Sequence, residues 1–350
     1  MKAREFFGRI LWGNIEAGRK ALGKWLDQPV DFEDLTGPYP APRNGRTTIN
    51  SAARVSGPGT FFRRALRHLS FEPSRCGWWF DRADLPDCLP TEVSVRNVWT
   101  TGRIVSNIVL RSGPPHNYVR MVEHIVALKV GLGIDDLNVL TDSGDPPLFA
   151  EGSRRLVDAV TSAGIRRLSE LPRYVTVKEK VSVISPSGAF LVFEPWQGCD
   201  PFLTVDCAIH FENAIGRQRV RFALSRALFE RAAVARTNTT AAKKLYCQTI
   251  GRIFADIRNL GYTHENILVV GRRRYVNQPR LPHGDKYLEP VWHRAALDLL
   301  AAVALVDRGR FVGAITSYKA GHALDVRMIT RLYRHELLAD VTARILGSGT

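Results

Sequence analysis

The chain has 350 residues, 45% of them apolar and 24% charged, with 49 Lys and Arg against 34 Asp and Glu and a formal net charge of +15. That length suffices for one large domain or two medium ones, and the composition excludes wholesale disorder. The cationic excess points to a polyanion (nucleic acid, an anionic membrane face or a phosphorylated substrate), set against an ordinary charged surface with no particular partner. Five cysteines, Cys76, Cys88, Cys199, Cys207 and Cys247, are odd in number and show no CxxC spacing. They read as reduced thiols of a cytosolic protein, not as a disulfide scaffold or a cysteine zinc knuckle. No run reaches the roughly 18–20 apolar residues of a spanning helix, and no apolar leader with a small-residue cleavage site opens the chain.

Residues 1–26 read as a basic amphipathic helix. Phe6, Phe7, Ile10, Leu11, Ile15, Leu22, Trp25 and Leu26 recur near helical spacing, with Arg4, Arg9, Arg19, Lys20 and Lys24 between them and Gly8, Gly13, Gly18 and Gly23 weakening the pattern. Such a helix either lies in a membrane interface or packs on the body of the protein. Pro29, Gly37, Pro38, Pro40 and Pro42 then mark a linker to residue 47. Strands are expected at Val93–Val98 and Arg103–Leu110, before a helix holding Glu123 and His124. A helix over Ser153–Ala163 follows, then strands over Arg173–Ile184, Ala189–Pro195 and Phe202–Phe211, the last with half-buried alternation. Helices at Ala241–Leu260 and Pro290–Val306 bracket a strand at Asn266–Val270. This order implies an α+β protein of two similar-sized units divided near residues 165–172, giving segments 1–47, 48–168 and 169–345.

An adjacent Glu123–His124 pair in an apolar helix is costly unless something uses it, because buried polar groups need partners. His293 lies in a second apolar helix, with Asp298 five residues on, and His322 follows Gly321. Neutral imidazoles are common ligands of catalytic zinc, and three protein ligands plus a water make a hydrolytic site. Glu123 then suits a general base and His322 a proton donor. Taken alone, each histidine is more often a satisfied core or surface residue than a metal ligand.

Six stretches resemble one family in order and spacing over about residues 45–335. They are Arg120–Leu128 with Gly131–Asp136, Pro146–Ser153, Ala235–Thr237, Glu265–Val270, Glu289–Arg294 and Lys319–Leu324. Together they are similar to the LpxC-type UDP-3-O-acyl-N-acetylglucosamine deacetylases of lipid A biosynthesis. The resemblance implies two similar β-α-α-β sandwich domains, here with the N-terminal helical extension. It implies Zn2+ held by His124 and His293, Glu123 as base, Thr237 as the hydroxyl that stabilises the oxyanion, and His322 as general acid. It also implies substrate contacts from Lys319, Arg294 and Asn238, with Lys319 meeting a nucleotide diphosphate. The expected partner is a nucleotide-sugar lipid precursor. The expected location is cytoplasmic, peripheral at the anionic inner membrane face through residues 1–26.

Three departures from the family pattern bear on activity. The family's third ligand, an Asp, stands four residues after the His, about 40° round an ideal helix, whereas Asp298 stands five residues on, about 140° round. A one-residue insertion absorbed by a π-bulge would return Asp298 to the metal side. The family's acid-orienting Asp falls here on Ala301 or Ala302, leaving His322 without its partner unless Asp325 substitutes. Asn238 and Arg294 replace a Phe and a Lys, and Arg turns a point donor into a planar fork. The alternative reading is a catalytically impaired homologue acting as a binding or regulatory protein. A nucleic-acid binder is not expected: arginines cluster at Gly271–Arg274 and Phe61–Arg67, but no recognised module accompanies them.

Overall fold

A computed structural model describes residues 3–61, 64–102, 106–241, 245–246 and 260–347. It is α+β, as the alternation of elements predicts, and two sheets carry it. The five-stranded sheet runs Ala53–Pro58, Leu66–Pro73, Leu137–Thr141, Trp78–Arg82, Thr91–Glu92 in spatial order. The seven-stranded sheet runs Arg9–Trp12, Val181–Ile184, Phe190–Glu194, Gly313–Tyr318, Leu203–His210, Arg217–Ala223, Phe32–Asp34. The alternation read in Phe202–Phe211 is visible as buried Leu203, Val205 and Cys207 between half-buried Thr204 and Asp206.

The helix Glu123–Gly131 packs on the helical run Glu289–Ala304 inside one large core, which draws Phe71, Phe80 and Val139 from one sheet and Leu191, Val205 and Ile315 from the other. The second run is almost wholly buried, apolar apart from Glu289, His293, Arg294 and Asp298. Both helices that hold the candidate residues therefore run through the interior, and their polar groups need partners there.

The first 26 residues differ from the single helix expected: helix Ala3–Phe7, strand Arg9–Trp12 and helix Ile15–Leu26. Gly8 (φ 58°) and Gly13 (φ 101°) make the breaks. Any Cβ there would collide with the Lys180 or Ile184 carbonyl, so only glycine lets the strand lie parallel to Val181–Ile184. Phe6, Phe7, Leu22 and Trp25 are buried against Ile184, Phe190, Val192 and Tyr318, so the apolar face of this segment is taken up by the protein's own sheet. The proline-marked linker contains a further strand, Phe32–Asp34, parallel to Val220–Phe222.

Other differences are local. Val93–Val98 is a 3-10 turn over Val95–Asn97 between short strands, capped by the Ser94 hydroxyl. Arg173–Ile184 divides between two sheets, Tyr174–Val177 pairing with Arg310–Phe311 and Leu338–Asp340. The helix expected at Ala241–Leu260 lies outside the described residues except at 241, 245, 246 and 260, as do residues 103–105 of an expected strand and Cys247. Among the described residues Cys76, Cys88 and Cys207 are free thiols, and no helix is long and apolar enough to cross a membrane.

Gly13→Ala should cost about 1–3 kcal/mol through strain at the left-handed position, read by urea unfolding together with faster proteolysis within residues 3–26. Gly23→Ala, at an exposed position of the helix Ile15–Leu26 with nothing within 4 Å of its Cβ, should instead stabilise by about 0.5–1 kcal/mol.

Candidate active site

Two left-handed residues aim the ends of the site helices. Met121 (φ 56°) precedes Glu123, the first residue of its helix, and Lys319 (φ 52°) precedes His322, the first residue of helix His322–Arg334. Non-glycine residues adopt this conformation at a cost, and they cluster at functional sites. The Ile108 N–H donates to Glu123 Oε2 at 3.0 Å, leaving Oε1 facing His322 Nε2 at 3.9 Å. His124 Nδ1 meets Ser153 Oγ at 2.9 Å, which points its Nε2 at Thr237 Oγ1 (3.4 Å) and His293 Nε2 (3.5 Å). Thr237 Oγ1 also meets His293 Nε2 at 3.0 Å. Thr237 is held in turn by its neighbour Arg236, whose guanidinium and backbone N–H both donate to buried Glu289 (2.8 and 2.9 Å).

The run Glu289–Ala304 changes pitch where the site needs it. Residues His293–Leu299 form a π turn between two α-helical pieces, as the one-residue insertion predicts. The five-residue spacing then brings Asp298 Oδ1 to 3.4 Å from His293 Nδ1, and to 3.5 Å from His322 Nε2. Asp298 thus addresses the ring nitrogen of His293 turned away from His124. Among the described residues no three His, Cys, Asp or Glu side chains are grouped to hold a metal; two imidazole Nε2 atoms meet, and the carboxylate stands to one side.

Burial sets the electrostatics. It presses the pKa of His124 down to about 3, helped by His293, so this imidazole is neutral. Burial also disfavours charge on His293, but Asp298, with Glu123 and Glu289, turns the net shift upward. Burial opposes ionisation of Asp298 as well, yet His293 and His322 hold it well below the usual carboxylate range. Glu123 goes the other way: desolvation raises its pKa, with His322 only partly offsetting it.

A cavity of about 290 Å³ is lined by every sequence-predicted site residue except His124, namely Glu123, Thr237, Asn238, His293, Arg294, Asp298, Lys319 and His322. His124 joins through its contacts to Thr237 and His293. Asp325, the substitute considered for orienting His322, is engaged elsewhere: Arg294 Nη2 donates to Asp325 Oδ1 at 2.6 Å and to Ser317 Oγ at 3.3 Å. Arg294 is only 6% exposed, so besides bordering the cavity it ties its helix to the strand and helix that flank Lys319. His322 Nδ1 is buried without a hydrogen-bond partner, and Ala301 and Ala302 sit in the apolar core. Sequence reasoning missed the roles of Ser153, Ser317 and Glu289. Only their places inside or beside the resembling stretches signalled them.

The family model described as LpxC, UDP-3-O-acyl N-acetylglycosamine deacetylase, matches residues 46–334. The chain is also similar to proteins named UDP-3-O-acyl-N-acetylglucosamine deacetylase from Brucella ovis, Brucella abortus (strain S19) and Brucella melitensis biotype 2. Each is 26% identical over 297 residues, which is 84% of this chain and 97% of the relative.

Asp325→Ala should destabilise the fold by about 3–5 kcal/mol, because it strands a buried guanidinium. The double change Arg294→Met with Asp325→Leu should recover most of that loss in chemical denaturation, since it removes both charges.

Proposed function

The chain belongs to the LpxC family of UDP-3-O-acyl N-acetylglycosamine deacetylases, and on that footing we propose a specific reaction. It hydrolyses the acetamide of a UDP-linked 3-O-acyl-N-acetylglucosamine, or of a related acylated amino sugar, in lipid A or envelope lipid synthesis, with zinc in the cavity. The observation that carries this reading is the approach of the His124 and His293 Nε2 atoms to 3.5 Å beside Glu123, Thr237 and His322.

The donor set suits zinc. Two imidazole nitrogens on one tetrahedral zinc, each about 2.0–2.1 Å from it, stand about 3.3 Å apart, close to the separation found here. The carboxylate of Asp298, whose Oδ1 lies 3.4 Å from His293 Nδ1, is the third donor that the family pattern would bring to them. His124, His293 and Asp298 are the residues that would hold the ion. Zinc in such a site brings the pKa of a bound water towards neutrality.

The remaining steps belong to side chains. Glu123 Oε1, on a carboxyl whose proton affinity is raised by burial, takes the proton of the attacking water. Thr237 Oγ1 donates to the oxygen that becomes negative as the amide carbon turns tetrahedral. His322 Nε2 gives a proton to the departing amine nitrogen, with Asp298 and Glu123 beside it to stabilise its charge. The C–N bond breaks, leaving acetate and a free amine. Lys319, Arg294 and Asn238 are the substrate contacts in this reading, and the three segments 1–47, 48–168 and 169–345 remain its division of the chain. The protein works in the cytoplasm at the inner membrane face, drawn by the exposed Arg4, Arg9, Arg19, Lys20 and Lys24.

A second reading, an impaired homologue retained for binding or regulation, is favoured by the unpartnered His322 Nδ1 and by the carboxylate standing off the two imidazoles. Elemental analysis separates the two. Protein purified without added metal should hold about one zinc per chain, lost in His293→Ala and Asp298→Ala. Wild type without zinc and without turnover would establish the second reading. Glu123→Gln should keep the zinc while deacetylation of the UDP-linked amide, followed by acetate release, falls by about 10²–10⁴-fold.

A further inference from the structure

The two helices that carry the site residues also meet at their far ends. Lys129 stands in the last turn of Glu123–Gly131. Its Nζ reaches across to the carbonyls of Ala304 (2.8 Å) and Val306 (3.1 Å), where the run that holds His293 and Asp298 ends. A second cavity, of about 190 Å³, opens there and shares no lining residue with the first. Lys129 lines it, partly buried.

The charges around this cavity are unevenly satisfied. Of its acidic lining residues, Asp135 is paired with Arg310, and Glu92 and Asp307 with Arg96. Lys129 and Arg308 line it without a carboxylate partner among the described residues, Arg308 lying 5.1 Å over the Tyr333 ring. The Lys129 amine makes two hydrogen bonds, both to carbonyls. An ammonium has three N–H donors, so one is left over. A neutral amine has two, and both carbonyls are then met while the nitrogen lone pair stays unused. Burial favours the neutral form: it lowers Lys129 to about 8, with Asp307, Asp135, Glu92 and Asp136 only partly offsetting it. An uncharged lysine amine beside a cavity is a nucleophile.

We propose that Lys129 is a site of covalent acylation by a small acyl phosphate admitted to this cavity, a reaction separate from the hydrolysis proposed above. The Nζ lone pair attacks the acyl carbon, the bond from that carbon to the phosphate oxygen breaks, and phosphate departs with the electron pair. The nitrogen passes one proton to water, leaving an amide with nothing oxidised or reduced. Arg308, lining the same cavity with no carboxylate partner, is the cation that holds the phosphate end. The amide formed keeps one N–H, so one of the two carbonyls at the end of the His293 run loses its donor.

The test is acetylation of the full wild-type chain with acetyl phosphate, followed lysine by lysine by peptide mass spectrometry. Lys20 and Lys24, exposed on the helix Ile15–Leu26, are the internal standards. At neutral pH Lys129 should react at least about tenfold faster than either, because an ordinary lysine, with a pKa of about 10.4, is almost wholly protonated there. Its rate should level off above about 8, while theirs go on climbing towards about pH 10. Inorganic phosphate should slow acetyl phosphate at Lys129 and leave acetic anhydride, a neutral donor, unaffected, and Arg308→Gln should abolish that protection. The inference is overturned if Lys129 reacts no faster than Lys20 and Lys24, or if its rate climbs with theirs. Rapid acetylation by the anhydride without any protection by phosphate would overturn the acyl phosphate as donor.

Discussion

The site depends on a change of helical pitch. An α-helix would carry Asp298 about 140° away from His293, into the apolar packing that surrounds the rest of the run. The π turn over His293–Leu299 returns it, and the carboxylate then faces two imidazoles at once, His293 at 3.4 Å and His322 at 3.5 Å. This turn sits within a segment whose neighbours Leu297, Leu299 and Leu300 are fully buried, so it cannot be absorbed by solvent-side fraying. Polar anchors hold it at both ends of the first stretch: Glu289 on Arg236 before it, Arg294 on Asp325 and Ser317 inside it.

Those anchors explain why a core so apolar tolerates so much charge. Arg236–Glu289 and Arg294–Asp325 are each almost completely shielded from water, and a buried ion is tolerable only when paired and hydrogen-bonded. Each pair joins elements that also deliver a candidate catalytic group. Glu289 fixes the backbone next to Thr237, and Asp325 belongs to the helix opened by His322. Geometry at the reacting atoms is thereby coupled to the integrity of the interior, which leaves little freedom to change one without the other.

Much of this was legible in the sequence. Glu123–His124 in an apolar stretch, and His293 in another, announced polar groups that a core must accommodate, and the insertion before Asp298 announced the π turn. The N-terminal segment carries an apolar periodicity that predicts one helix, and its glycines break it into helix, strand and helix. Gly8 and Gly13 mark places where backbone passes against backbone, which no periodicity analysis detects. The resemblance marks Arg294 as a substrate contact; that its guanidinium also binds Asp325 depends on a residue 31 positions away. Ser153 and Ser317 carried no signal of their own, since a serine hydroxyl becomes informative only when its partner is known.

The two strands contributed by the first 34 residues lie at opposite edges of the seven-stranded sheet, Arg9–Trp12 against Val181–Ile184 and Phe32–Asp34 against Val220–Phe222. A sheet edge left open is a template for pairing with other chains, and here one short piece of chain caps both. During synthesis, though, the caps are made first and their docking strands much later. The surface that buries Phe6, Phe7 and Trp25 is not complete until Ile184, Phe190, Val192 and finally Tyr318 have been made, a long wait for contacts of such high sequence separation. The first-made segment therefore docks on strands made long after it.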